Sequence, residues 1–230
     1  MLMYLIGIDD SGRGPLIGNM FLAGVLIKKD DESALKKIGA KDSKLLTHSE
    51  RIKLAEMIKK QVIDYHVVEA TPQEIDHAVL GGKNLNTLEA EKMAQVINEL
   101  NDGKKTIKVI VDCPSINIKK WREKLLSFIK HKANLTVLCE HKADFNHPVV
   151  SAASIIGKVA REDHVALLKK QYPDMGSGYP SDPFTKKFLK EQGDKLKDSG
   201  IFRKSWQTWK VMFPQTEEKE KKGQKTLFEY

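Results

Sequence analysis

Seven consecutive uncharged residues, Leu2–Ile8, run directly into two carboxylates, Asp9 and Asp10, and then into Ser11-Gly12-Arg13-Gly14-Pro15. A run that is apolar on both faces suits a central strand, covered on each side, more than an edge strand. Such a chain must supply helices for both faces of a sheet. Phe21–Ile27 reads as a second strand, joined to the first by the stretch carrying Gly12, Gly14 and Gly18. Gln61–Glu69, rich in Val, Ile and Tyr, reads as a third. Their close linkage predicts an antiparallel component among the first three strands.

Two helix starts are marked by capping boxes, Thr47 with Glu50 and Thr71 with Glu74, the second with Pro72 in its first turn. Asn84–Leu100 places Leu85, Leu88, Met93, Val96, Ile97 and Leu100 at helical spacing. Ile107, Val109 and Val111 alternate into Asp112 as a strand. Ile118, Trp121, Leu125, Phe128 and Ile129 form an amphipathic helix with a lysine-rich outer face. Leu135, Val137 and Cys139 give a last strand, ending near Glu140 and Asp144, before a long helix from about His147 to Tyr172. Strands alternating with helices predict an α/β fold with a partly parallel sheet.

The longest clean apolar run, Met20–Ile27, is far too short to cross a bilayer. The N-terminal apolar residues have no basic flank, so a signal peptide is not expected. Two cysteines, Cys113 and Cys139, exclude a disulfide framework and make a reducing cytoplasm the expected location. The net charge of +8 fits a polyanionic partner such as nucleic acid. The excess is local: residues 118–132 hold six basic and one acidic residue, and residues 186–210 hold eight and three.

In α/β sheets the functional crevice lies beyond the carboxyl ends of strands where the strand order reverses. Asp9, Asp10 and Asp112 converge there if the first and fourth strands are parallel neighbours. Converged carboxylates repel unless a divalent cation neutralises them, and hard oxygen donors favour Mg²⁺ or Mn²⁺ over zinc. The competing reading is that Asp9-Asp10-Ser11-Gly12 forms only a turn, since Asp and Gly favour turns. The glycines of Gly12-Arg13-Gly14 admit close backbone approach to a ligand, which favours a site. In the long helix, Ser151, Ser154 and Lys158 form a polar stripe within an otherwise apolar surface. Either a cavity or phosphate satisfies that stripe, or the serines bond their own backbone.

The motifs Gly7-Ile8-Asp9-Asp10-Ser11-Gly12-Arg13-Gly14-Pro15, Lys41-Asp42-Ser43-Lys44-Leu45, Asp112-Cys113-Pro114-Ser115 and Lys142-Ala143-Asp144 occur in that order. They are followed by the block from Val150 to Val159 and by Gly176-Ser177-Gly178-Tyr179-Pro180-Ser181-Asp182-Pro183. In this order the sequence resembles ribonuclease HII of the archaeal type, over roughly residues 4–210. The resemblance implies a ribonuclease H-like mixed central sheet flanked by helices, with a helical C-terminal extension. The implied catalytic domain is 1–214, followed by a flexible tail, 215–230.

The implied activity is metal-dependent cleavage of the RNA strand of RNA–DNA hybrids and of single ribonucleotides in duplex DNA. The cut would fall 5′ to the ribonucleotide, leaving a 5′-phosphate and a 3′-hydroxyl. The resemblance assigns Asp9, Asp10, Asp112 and Asp144 as ligands of two Mg²⁺ or Mn²⁺ ions, the ions activating water and stabilising the leaving oxygen. It assigns Gly12, Arg13 and Gly14 to reading the ribose 2′-hydroxyl, Tyr179 to sensing the junction and Lys44 to substrate phosphate. Ser151, Ser154 and Lys158 complete the expected substrate-binding set. One departure stands out: the family usually has Glu where this chain has Asp10. The side chain is shorter by one methylene, about 1.5 Å of reach. A hybrid- or clamp-binding protein with weakened catalysis is therefore the alternative reading. A phosphatase using Asp9 as nucleophile is disfavoured, because no Asp-x-Asp pair follows the first strand.

Residues 216–223 are almost wholly Glu and Lys, as in a solvated linker. The end that follows resembles a sliding-clamp-binding peptide, with Gln224, Leu227, Phe228 and Tyr230 as its contact residues, although no residue follows Tyr230. A monomer is expected, with no membrane contact. The seven histidines show no zinc or triad spacing; His141 and His147 flank Asp144 and could influence proton transfer. Trp121 is expected to pack, whereas Trp206 and Trp209 could either pack or stack on nucleic acid.

Overall fold

The computed structural model describes residues 3–39 and 46–214. A five-stranded sheet organises it, built from β1 (Tyr4–Ser11), β2 (Met20–Lys28), β3 (Asp64–Ala70), β4 (Ile107–Asp112) and β5 (Leu135–Glu140). The strand order is β3-β2-β1-β4-β5. The first three strands are antiparallel, and β4 and β5 continue parallel to β1. This is the mixed sheet that the sequence predicts. β1 is central, as its two-sided apolar character requires.

Helices cover both faces. On one lie α3 (Pro72–Leu80), α4 (Leu85–Leu100) and α5 (Ile118–Phe128), packing Ile6, Ile8, Met93, Val96, Ile97, Trp121 and Leu125 into one core. On the other lie α1 (Glu32–Lys37), α2 (His48–Gln61) and α7 (Pro148–Gln171), whose Leu35, Ile58, Val149, Val150, Ala153 and Ile155 meet Leu5 and Val25. Residues 5 and 25 therefore face the α7 side, while 6 and 8 face the α4 side, as strand alternation dictates. Both predicted capping boxes form, at Thr47–Glu50 and Thr71–Glu74.

β1 meets α7 closely. A Cβ on Gly7 would lie 2.3 Å from the carbonyl oxygen of Val149, so only glycine fits. A third core joins the chain just after the glycine turn to the C-terminal extension. There Leu16 and Ile17 pack with Met175, Phe188, Leu189, Ile201, Phe202 and Trp209. The extension includes α8 (Pro183–Gln192) and α9 (Gln207–Met212), and Ile17 forms an isolated antiparallel bridge with Phe202.

Three expectations shift. β1 continues through Ser11, so Asp9 and Asp10 are strand residues and not the start of a turn. β3 begins at Asp64, because Gln61 completes α2. Asp144 is not at a strand end; it lies on α6 (Ala143–Asn146), a single turn after β5. Lys44 and the tail residues Gln224, Leu227, Phe228 and Tyr230 fall outside the described residues.

Candidate active site

Parallel pairing of β1 with β4 brings Asp9 and Asp112 side by side, and α6 carries Asp144 to them. One carboxylate oxygen from each of the three lies within 4.8 Å of the others. The backbone N–H of Ala143 donates to Asp112 Oδ1 at 3.2 Å, which ties the α6 turn to β4. Lys142 enters that turn with a left-handed backbone, φ 58°. The donor set is three hard oxygens with no thiol or imidazole among them, which suits a divalent cation of the Mg²⁺ class.

The electrostatics agree. Burial raises the Asp9 pKa well above the usual carboxylate range, and the charges of Asp10, Asp112 and Asp144 push the same way. Burial also raises Asp112. Holding these groups ionised together requires a compensating cation. Ser154 Oγ, fully buried on α7, lies against Asp9 and lowers its pKa, yet closes no hydrogen bond of standard geometry among the described residues. Ser151 is buried on the same helix. Lys158, one turn beyond Ser154, lowers the Asp10 pKa by its charge.

Asp10 is not one of the three mutually close carboxylates, although its charge acts on Asp9 and that of Asp112 acts on it. Successive strand residues face opposite sides, so Asp10 falls on the α4 side, with Ile6 and Ile8. Burial raises it to about 6, opposed by the charge of Arg13 and, less, by those of Lys158 and Arg203, while the charge of Asp112 raises it further.

The turn after β1 is the second half of the site. Gly12 has φ +85°, a conformation that L side chains rarely adopt, and a Cβ there would meet Arg161 Cδ at 2.9 Å. Tyr179 reaches the same turn: a Cβ on Gly14 would lie 3.4 Å from its Cε1. The Arg161 guanidinium lies 4.9 Å from the Tyr179 ring centroid and donates to the Ser177 carbonyl at 3.2 Å. Gly12, Gly14 and Tyr179, distant in sequence, therefore form one surface.

Arg13 does not extend freely towards the carboxylates. Its Nη1 pairs with Glu89 on α4, and Nη2 donates to Asn86 Oδ1 at 2.8 Å. Glu89 is fully buried, and burial, with the charge of Asp10, raises its pKa to about 8. Sequence reasoning missed Glu89, although a signal existed. Leu85, Glu89, Met93 and Ile97 are four residues apart, so a carboxylate interrupts an apolar helical stripe. It also missed Arg161 and Arg203, which no local pattern separates from the surface cations around them.

The remaining candidates resolve into packing or support. Trp121 is buried and donates to the Asn86 carbonyl at 3.0 Å, and Trp209 belongs to the third core. His141 Nδ1 lies 2.9 Å from the Cys113 carbonyl oxygen, and His147 Nε2 lies 2.9 Å from Glu140 Oε1. Burial pushes the Cys139 thiol up to about 12, which leaves it unreactive.

Solved structures share this arrangement of sheet and helices. The ribonuclease H2 of Pyrococcus horikoshii matches with a TM-score of 0.80 at 37% identity, over 91% of this chain and 97% of that one. The PCNA:RNase HII complex of Archaeoglobus fulgidus matches with a TM-score of 0.77 at 36% identity, over 88% and 95%. A mixed sheet bearing an acidic group beside its glycine turn thus defines an endoribonuclease of the ribonuclease H class. The sequence profile described as Ribonuclease HII matches residues 6–209. Ribonuclease HII of Pyrococcus furiosus is 40% identical over 226 residues, covering 98% of this chain and 97% of that protein. The chain belongs to the ribonuclease HII family, divalent-metal-dependent enzymes that cleave RNA in RNA–DNA hybrids. Among the described residues, no helix is long and apolar enough to cross a membrane.

Proposed function

We propose that this chain incises the RNA strand of RNA–DNA hybrids and single ribonucleotides embedded in duplex DNA, 5′ to the ribonucleotide, leaving a 5′-phosphate and a 3′-hydroxyl. The observation that carries this reading is the joining of two features in one site. An acidic group follows from Asp9, Asp112 and Asp144, and a backbone turn flanked by Tyr179 begins three residues after Asp9. Asp9, Asp112 and Asp144 hold the divalent ions, Mg²⁺ or Mn²⁺, with Asp10 contributing from the other side of β1. When bound, such ions supply charge neutralisation at the scissile phosphate and activation of water for in-line displacement.

The chain's own residues orient the substrate. The Gly12–Gly14 backbone comes close enough to a sugar edge to test for the 2′-hydroxyl, the group that separates RNA from DNA. Tyr179, more than one third exposed, offers a stacking face beside that turn. Ser151, Ser154 and Lys158 line the α7 side, and Lys44 meets a phosphate. The enzyme acts as a cytoplasmic monomer, with residues 1–214 as the catalytic domain. The tail, 215–230, engages a sliding clamp through Gln224, Leu227, Phe228 and Tyr230; the name of the Archaeoglobus fulgidus complex supports clamp association in a relative.

A duplex with one ribonucleotide, incubated with Mg²⁺ or Mn²⁺ and mapped at nucleotide resolution, tests the activity. A single cut 5′ to the ribonucleotide is expected, and no incision in either metal overturns the reading. Deleting residues 224–230 is expected to abolish clamp binding while leaving cleavage of short substrates unchanged; equal clamp affinity after deletion ends the peptide assignment. The position of Asp10 outside the three-carboxylate group favours a second reading, a hybrid- or clamp-binding protein with weakened catalysis. Tight hybrid binding with negligible incision is the outcome that selects it.

A further inference from the structure

Two side chains of the C-terminal extension hold the glycine turn from beneath, and the reading above assigns neither a role. Arg203 is 0% exposed. Its Nη2 donates to the Gly12 carbonyl at 2.7 Å, its Nη1 to Arg13 at 2.8 Å and its Nε to Gly18 at 3.0 Å. Trp206 Nε1 donates to the Gly14 carbonyl at 3.1 Å, and its ring centroid lies 5.1 Å from Arg203 Cζ. All three carbonyls of Gly12-Arg13-Gly14 are therefore gripped from one short segment.

That segment is itself fixed on both sides. Arg203 N–H donates to the Leu16 carbonyl at 2.8 Å, and Gly18 N–H to the Ile201 carbonyl at 2.9 Å. Asp76 on α3 accepts from the N–H groups of Lys204 and Ser205, each at 2.8 Å, and from Ser205 Oγ at 2.6 Å. A guanidinium is costly to bury unless its donors are satisfied. Here all three kinds of guanidinium nitrogen are spent on turn-region carbonyls, a geometry that the compact ammonium of lysine does not reproduce. In a trans peptide the N–H points opposite to the carbonyl. Drawing the Gly12 and Arg13 carbonyls inwards turns the N–H groups of Arg13 and Gly14 the other way.

We propose that Arg203, assisted by Trp206, is a positioning residue that sets the Gly12–Gly14 turn in the orientation that distinguishes ribose from deoxyribose. The proposal rests on that turn being the ribose reader. The C-terminal extension thereby serves sugar discrimination as well as stability.

The test compares full-length wild type, Trp206→Phe, Arg203→Lys and Arg203→Met on duplexes carrying one ribonucleotide or its 2′-fluoro analogue. Steady-state kcat and KM are measured alongside circular dichroism, melting temperature and Mn²⁺-dependent stabilisation. Trp206→Phe keeps an aromatic ring and removes the indole N–H donor. It is expected to lower kcat/KM on the ribonucleotide about fivefold and to narrow the ribo/fluoro ratio, with melting and Mn²⁺ response unchanged. Arg203→Met is expected to lose about a hundredfold, and Arg203→Lys to recover part of that loss. A folded Trp206→Phe and a folded Arg203→Lys that both keep the wild-type ratio overturn the proposal and leave the turn as reader. A melting temperature that falls at constant ratio overturns it too, because the role is then only structural. Wild type that does not discriminate between the two sugars overturns the reader and the proposal together. If Arg203→Met fails to fold, Trp206→Phe decides.

Discussion

The resemblance implies Glu where β1 carries Asp10, one methylene shorter, on the face of the strand opposite Asp9. Restoring that reach with Asp10→Glu is expected to raise the single-turnover incision rate about tenfold at saturating Mg²⁺, since misplacement by an ångström is costly in a fixed site. An unchanged or lower rate would show that the backbone already compensates. Asp112→Asn removes a charge from the acidic group and is expected to reduce incision at least about a hundredfold; a fully active variant removes Asp112 from the site. Glu89 gives a pH prediction. Its pKa is raised by burial to about 8, so the folded chain retains a proton that the unfolded chain has already lost. Stability from this group is full below the ordinary carboxylate pKa and is lost as pH rises through about 8. Thermal melting of metal-free protein between pH 4.5 and 8 is expected to decline less for Glu89→Gln than for wild type. Asp9 and Asp10 act in the same direction in both proteins.

At the scale of elements, the meeting of β1 with α7 is the most demanding contact. Gly7→Ala would drive a methyl into the Val149 carbonyl at 2.3 Å, and neither the central strand nor a buried helix can yield cheaply. A destabilisation of about 3 kcal/mol or more is expected from the urea midpoint, at the upper end for overpacking. The β1–α7 contact was not legible in the sequence, because Gly7 looked like one more residue of an apolar run. The capping boxes were legible, since their partners lie three residues apart, and both form as expected. The strand ends were less so. Leu2–Ile8 reads as a strand that stops at charge, yet β1 keeps pairing through Asp9, Asp10 and Ser11, whose partners on β2 are Ala23, Leu22 and Phe21. Hydrogen bonding to a neighbour extends a strand past the point where hydrophobicity stops marking it.

Across the whole molecule, the +8 charge resolves into two basic segments, of which the C-terminal one holds the glycine turn directly and the α5 one is linked to it only through Asn86. From α5, Trp121 bonds the Asn86 carbonyl, and Asn86 in turn accepts from Arg13. From the C-terminal extension, Arg203 and Trp206 hold Gly12, Arg13 and Gly14. If about six phosphates are neutralised, raising salt from about 50 to about 200 mM is expected to weaken duplex binding about a thousandfold. Fluorescence anisotropy with Asp112→Asn measures this, and a flat response excludes phosphate contacts as the main source of affinity. The sequence by itself determined the α/β class, the central strand, the helix starts and the chemistry of the acidic residues. These follow from residue type and short spacing, which act locally. Only the tertiary structure decided that Asp144 reaches Asp9 and Asp112 from a short helix, that Arg13 is paired with Glu89, and that Arg203 lies buried beneath the turn. Those facts depend on parallel pairing across a crossover and on contacts spanning as many as 191 residues. A lone arginine between Phe202 and Lys204 carries no local mark of a partner so far along the chain.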